Sequence, residues 1–274
     1  MLSPILFLLA QTFDARPAQP RQGQVIFVRG DAASARMGDR TIRLFPQKEG
    51  PPLGLMPVPT LQKPGSYPLE YLDAAGTVLH TTGVTVLDAH YARQNVILSK
   101  EVVELKPAPG EQDAADAFRK NVSDIRYWSE PLQLPEPGCM TSPFGVQRYQ
   151  NGQPTGDYHA GWDQRGAAGV PIHAITAGKI MLARQFNLRG NTVAVDHGQG
   201  LESIYMHMSK IAAVEGALVK AGDVIGYVGA TGRVTASHLH WTIYANGVPV
   251  NPSQWLKLSS CYAAPAAKKK TSGH

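Results

Sequence analysis

Ser237-His238-Leu239-His240-Trp241-Thr242-Ile243-Tyr244 alternates without a break from position 238 onward. His238, His240, Thr242 and Tyr244 take one set of positions; Leu239, Trp241 and Ile243 take the other. Successive side chains of a β-strand point to opposite faces, so this period of two predicts a strand with its apolar face in a core. Both imidazoles then lie on the other face. Ser203-Ile204-Tyr205-Met206-His207-Met208 reads the same way, with Ile204, Met206 and Met208 predicted to face the core and Ser203, Tyr205 and His207 the opposite side. Two such strands predict the floor of a groove.

His159-Ala160-Gly161-Trp162-Asp163 adds a further imidazole and a carboxylate upstream. Zinc accepts imidazole nitrogen and carboxylate oxygen, and a catalytic zinc site combines three protein ligands with one open position. His159, Asp163 and one histidine of the 238/240 pair satisfy that count. The other histidine of the pair and His207 are left to accept a proton from water or to hold a developing oxyanion, tasks that suit imidazole near neutral pH. The chain contains no His-Glu-x-x-His, so no glutamate is placed as a base in the helical manner.

Composition narrows the setting. A chain of 274 residues has room for two domains. Its formal charge of +5 suits an anionic polymer such as cell wall, and without a Lys/Arg-rich helix or an RNA-binding signature a nucleic acid is not the expected partner. No apolar stretch is long enough to span a membrane in the mature protein. The run Leu2-Ser3-Pro4-Ile5-Leu6-Phe7-Leu8-Leu9-Ala10-Gln11 predicts a signal-peptide core with cleavage near Ala10, hence export to the periplasm, envelope or exterior. The absence of a cysteine after it argues against a lipid anchor. In an exported protein, Cys139 and Cys261 are expected to pair, and closing so long a loop stabilises by about 4–5 kcal/mol in the chain-entropy model.

The chain divides into five segments by pattern. Residues 1–22 read as signal peptide and Pro/Gln/Arg-rich linker. Short β-type runs at Val25–Val28, Thr41–Phe45, Tyr67–Leu72 and Gly83–Leu87 predict a β-sandwich accessory domain over 23–108. Residues 109–138 read as a linker, with Ala114, Ala117, Phe118, Val122 and Ile125 at helical spacing across 111–127 and a proline-rich stretch after it. Residues 139–262 form a second β domain, in which Gly169–Ile180 and Gly216–Gly226 echo each other as β-run, glycine turn and β-run. The basic end, 263–274, reads as a flexible tail.

Within that second domain the ordered motifs are Phe144-Gly145, His159-x-Gly161-x-Asp163, Gly169-Val170-Pro171-Ile172, Gly190-Asn191-Thr192-Val193, Asp196-His197-Gly198, Tyr205-Met206-His207-Met208, Gly226-x-x-Gly229-x-Thr231-Gly232, His238-Leu239-His240 and Asn251-Pro252. This series resembles the lysostaphin/LytM-type zinc metallopeptidases, which cleave peptidoglycan peptides. The resemblance implies one zinc held by His159, Asp163 and His240, with His207 and His238 as the catalytic imidazoles. It implies a mainly β protein in which an antiparallel β-sheet groove with a duplicated hybrid motif follows the N-terminal β-sandwich and a short linking helix. It also implies endopeptidase activity on a cross-link or stem peptide. A non-catalytic wall-binding regulator or amidase activator on the same fold would be expected to have lost ligands, and a phosphocarrier of the same fold would not need the His159/Asp163 pair. Ala236-Ser237 stands where the family often has Gly-Pro, and His173 and His197 fall in matched segments but outside the functional positions.

Overall fold

A computed structural model describes residues 12–262. The expected signal-peptide core and basic tail lie outside the described residues. The chain is mainly β, as expected. Its first half holds β1 (Phe13–Arg16), β2 (Val25–Gly30), β3 (Ser34–Met37), β4 (Arg40–Arg43), β5 (Leu53–Pro57), β6 (Gly65–Leu72), β7 (Val78–Val86) and β8 (Arg93–Val96), then helices α1 (Lys100–Glu104) and α2 (Glu111–Lys120). The second half holds β9 (Met140–Ser142), β10 (Gln147–Gln150), β11 (Gln153–Tyr158), β12 (Trp162–Gln164), β13 (Pro171–His173), β14 (Gly178–Gln185), β15 (Asn191–Gly198), β16 (Leu201–Met208), β17 (Lys210–Ile211), β18 (Leu218–Val219), β19 (Val224–Tyr227), β20 (Leu239–Ala245) and β21 (Val248–Val250).

The N-terminal part is a sandwich of a three-stranded sheet (β1-β2-β5) on a four-stranded sheet (β4-β3-β6-β7). Ile26, Val28 and Met56 from the first meet Ala35, Ile42, Leu69, Tyr71 and Val84 from the second. The alternating residues Val25, Leu53 and Leu55 turn the other way and join the core of the C-terminal part. Both faces of the β2/β5 pair are therefore buried, which accounts for the unbroken apolar run Leu53–Pro57. Hydrogen bonds fix this seam: Asn246 Nδ2 donates to the Leu55 carbonyl at 2.7 Å, and the Gln254 amide bonds both the N–H and the carbonyl of Val25 at 2.7 and 2.8 Å. Phe13–Arg16, read from sequence as linker, pairs antiparallel with β2.

The C-terminal part is built on an eight-stranded sheet, β18-β14-β15-β16-β20-β12-β9, with β21 beside β20. Val193, Val195, Tyr205, Trp162, Leu239, Trp241 and Ile243 fill its inner face. On the other face, Leu182, Ala194, Ile204 and Tyr244 are covered by Phe118 of α2, which meets Tyr244 edge to face at 6.1 Å. α2 thus covers part of the outer face. The helix stops at Lys120, short of the expected 127: Asn121 is extended, with φ −74° and ψ 128°. Its backbone N–H still closes on the Phe118 carbonyl while its side-chain Nδ2 donates to Asp196 Oδ2 at 3.1 Å; Val122 and Ile125 lie beyond the helix and Ile125 is exposed. The two echoing stretches meet as well, with β13 paired antiparallel to β19 in a separate small sheet. Cys139 and Cys261 form a disulfide, tying the first strand of the main sheet to the far end of the domain.

Candidate metal centre

β12 pairs with β20 so that Asp163 stands directly opposite His240. Directly opposed residues of an antiparallel pair share a face, so the carboxylate and the imidazole project together on the side away from Trp241. Asp163 Oδ1 lies 2.8 Å from His240 Nδ1 and 2.9 Å from His159 Nε2, and the two ring nitrogens are 3.0 Å apart. His159 arrives four residues before Asp163 through Gly161. A Cβ at Gly161 would collide with the Trp241 carbonyl and the Thr242 hydroxyl, so glycine is what lets this turn lie against β20.

The outward nitrogen of His159 fixes how that ring is used. His159 Nδ1 is 2.8 Å from the Pro143 carbonyl, which can only accept, so that nitrogen carries the proton and Nε2 offers its lone pair to the cluster. His240 Nε2 is 3.3 Å from Thr242 Oγ1, and its Nδ1 faces Asp163. Burial lowers the pKa of His240 to about 4 despite the nearby Asp163 carboxylate. Burial would raise Asp163, but His159 and His240 outweigh it and hold the carboxyl well below its usual range. Two imidazole nitrogens and one carboxylate oxygen therefore converge at mutual distances of 2.8–3.0 Å. These three atoms could hold a cation between them, and the set fits the three nitrogen and oxygen ligands of an open zinc site.

Of the 238/240 pair, His240 joins this cluster. His238 stands beside it, with Nε2 3.7 Å from Asp163 Oδ1 and Nδ1 donating to the Ala236 carbonyl at 2.8 Å. His207 also reaches the site, its ring centroid 5.3 Å from that of His238 and 6.1 Å from that of His240. It does not arrive by simple alternation. Ile204 and Met206 oppose Thr242 and His240 and share their face, while Tyr205 opposes Trp241 and is buried in the core. The faces expected for β16 are thus exchanged between positions 204 and 206. An irregularity in the β15/β16 register precedes Met208, and His207 takes the left-handed φ of 62°. That bulge turns its ring toward the groove. Burial, followed by the neighbouring His240 and His238, pushes the pKa of His207 down to about 3 and leaves it neutral.

Comparison with known proteins places this arrangement. The sequence profile of Peptidase family M23 matches residues 157–252, a span that contains every residue of the cluster. A crystal structure from Pseudomonas aeruginosa described as a peptidase M23 superposes with a TM-score of 0.67 at 30% identity, over 86% of this chain and 94% of that one. The chain belongs to peptidase family M23. The resemblance to lysostaphin/LytM-type peptidases read from the motifs is thereby borne out. Among M23 relatives, the DD-carboxypeptidase/endopeptidase Mpg of Neisseria meningitidis is 39% identical over 113 residues, 41% of this chain and 26% of that protein. The peptidoglycan DD-endopeptidase ShyA of Vibrio cholerae is 38% identical over 93 residues, 34% of this chain and 22% of that protein. This chain therefore matches about a quarter of the length of these relatives.

The structure adds polar neighbours that the sequence reading did not single out. Arg148 Nη2 donates to Asp163 Oδ2 at 3.2 Å. Ser142 Oγ lies 3.2 Å from His159 Nδ1. The Thr231 carbonyl accepts from His207 Nδ1 at 2.9 Å. Buried Glu111 accepts from the backbone N–H groups of Asn187, Leu188 and Arg189 and from the Arg189 guanidinium; the Arg189 carbonyl in turn accepts from the backbone N–H of His207. These are contacts through space between distant segments, and only the Thr231 motif carried a sequence signal. Outside the centre, His197 is a core residue: its Nδ1 donates to the Ala177 carbonyl, and Nε2 is 2.7 Å from Ser203 Oγ. His173 donates to the Gly222 carbonyl.

Proposed function

We propose that this chain is an exported zinc-dependent endopeptidase that cleaves peptide cross-links of peptidoglycan, with His159, Asp163 and His240 as the metal ligands. The observation that carries the reading is the convergence of His159 Nε2, Asp163 Oδ1 and His240 Nδ1 within 3.0 Å of one another. Zinc bound by these three groups would supply a Lewis acid that polarises the scissile carbonyl and activates water. His207, its Nδ1 committed to Thr231, keeps Nε2 as the free nitrogen to accept the proton. His238, its Nδ1 likewise committed to Ala236, turns Nε2 toward the site and would donate from it to the oxygen on which negative charge develops when the ring carries a second proton. The apolar floor under His240 includes Met206, its cross-strand neighbour. An open groove edged by strands suits an extended peptide with small side chains.

Support for the substrate comes from relatives named DD-endopeptidases, and their wall substrate lies outside the cytoplasm, which supports export. No helix among the described residues is long and apolar enough to cross a membrane. The reading is tested by removing metal with a chelator and restoring it with zinc while following release of dye from labelled peptidoglycan. Loss on chelation and recovery with zinc is expected. Equal release with and without metal would contradict the proposal. A non-catalytic regulator on this fold predicts stoichiometric wall binding with no release under either condition.

A further inference from the structure

Gln94 lies far from the metal cluster in sequence and outside the segment that matches the family, yet it touches the supports of two of the three proposed ligands. Its strand β8 runs parallel to β10, where Gln94 stands directly opposite Arg148. Gln94 Oε1 accepts from Arg148 Nη1 at 2.5 Å and from Ser142 Oγ at 2.6 Å. Arg148 passes on to Asp163 Oδ2, and Ser142 to His159 Nδ1. One amide oxygen thus holds a guanidinium and a hydroxyl, each in contact with a different ligand.

We propose that Arg148, fixed by Gln94, is a positioning residue that confines Asp163 to coordination through Oδ1 alone. The inference rests on the metal-centre reading above and adds to it a role for a segment that precedes the peptidase core. A carboxylate can bind a cation through one oxygen or through both. Oδ1 faces both histidine nitrogens, while the guanidinium engages Oδ2. The side chains of Arg148 and Asp163 are only 20% and 16% exposed, so the pair is shielded from water and dilute salt as a surface pair would not be. With Oδ2 engaged, three protein atoms face the centre and a fourth position stays open, which is what hydrolysis requires. If the guanidinium is removed, Oδ2 is free to swing inward and would add a fifth ligand beside the occupant of that position. Groups behind the ligands commonly set ligand orientation in this manner.

Cobalt(II) substitution of the full chain reads the coordination number through its visible absorption, which is intense for four ligands, lower for five and weak for six. Wild type is expected to show the four-coordinate spectrum. R148M is expected to retain cobalt with absorption reduced several-fold. Q94L should shift the same way by less, and Q94E, which keeps an acceptor for both Arg148 and Ser142, should return the wild-type spectrum. A cobalt-loaded R148M with an unchanged spectrum would overturn the inference while leaving the metal centre standing. So would Q94E behaving like Q94L. If R148M folds too poorly to bind cobalt, the Q94L/Q94E pair decides. A wild-type chain that takes up no cobalt overturns the metal-centre reading and this inference together.

Discussion

The Thr231 carbonyl oxygen stands 2.9 Å from His207 Nδ1, and this contact assigns the two nitrogens of the ring. A carbonyl has no proton to give, so Nδ1 is the donor and Nε2 the free base. The left-handed backbone at His207 presents that ring to the groove, and the Arg189 carbonyl accepts its backbone N–H. Replacement by alanine should leave the metal bound, because no His207 atom belongs to the three-atom cluster. Turnover of peptidoglycan should fall by about 10²–10⁴-fold, the ordinary worth of a positioned proton acceptor. His240→Ala, in contrast, should lose metal and turnover together. Metal analysis beside a rate assay on both variants checks the split; a His207→Ala protein that keeps its metal and its rate would refute the assigned proton acceptor.

Gly161 separates two of the proposed ligands and lies against the strand that carries the third. Because an added Cβ would strike the Trp241 backbone carbonyl and the Thr242 hydroxyl, Gly161→Ala must push the His159–Asp163 turn away from β20. Overpacking of this kind costs about 1–3 kcal/mol. The same shift separates His159 and Asp163 from His240, so metal affinity should fall by more than the loss in global stability implies. Chelator competition and chemical denaturation, performed on the same preparation, compare the two. A variant with normal metal affinity would show that this turn has slack.

Two buried groups make opposite contributions to stability as pH changes. Burial lowers the pKa of His197 to about 4, so the native state resists the proton that the unfolded chain takes up near pH 6.5. Its contribution is complete above the unfolded value and is lost as pH falls from there to about 4, by about 3 kcal/mol in all. Glu202 has the opposite sign. Burial, reinforced by Asp196, raises its pKa well above the usual value, and neither of its carboxyl oxygens has a hydrogen-bond partner. The native state therefore holds this proton more tightly than the unfolded chain, and stability declines as pH rises through the interval between the two pKa values. Glu202→Gln should be more stable than wild type at pH 7.5, with the advantage shrinking toward pH 4. Denaturation midpoints across that range test it; a constant difference at every pH would exclude the buried carboxyl as the source.

The Cys139–Cys261 bridge closes a loop with a sequence separation of 122 residues around the whole site. The chain-entropy model gives about 5 kcal/mol for such a closure, and removal of native disulfides typically costs about 2–5 kcal/mol. The double variant Cys139→Ala/Cys261→Ala should unfold at markedly lower denaturant while binding metal normally in its native state. The bridge joins β9 to the end of the domain and supplies no ligand. A variant as stable as wild type would show that strand pairing alone secures that seam.

The strand carrying His238 and His240 was legible because its alternation is strict and its apolar residues are large. The predicted faces hold there, with Leu239, Trp241 and Ile243 all in the core. β16 was misread for a physical reason. It is flanked by β15 and β20 and has buried residues on both faces, so Ile204 and Tyr205 are equally inaccessible and polarity does not reveal the side. His207 still reaches the groove because a bulge interrupts the alternation, and nothing in Tyr205-Met206-His207-Met208 announces a positive φ. The helix prediction failed at its end, where the backbone of Asn121 turns extended and its side chain bonds Asp196. Gln94 and Arg148 were invisible because their importance lies in which atoms they touch, and those partners come from segments that only the folded chain assembles.

Mass spectrometry of muropeptides after digestion of purified peptidoglycan tests the central claim most directly, because it reports metal use and bond cleavage together. With zinc-loaded protein, cross-linked dimers should disappear and the corresponding monomers accumulate, and with chelated protein or His240→Ala the dimers should persist. Dimers left intact by fully zinc-loaded wild-type protein would contradict the account.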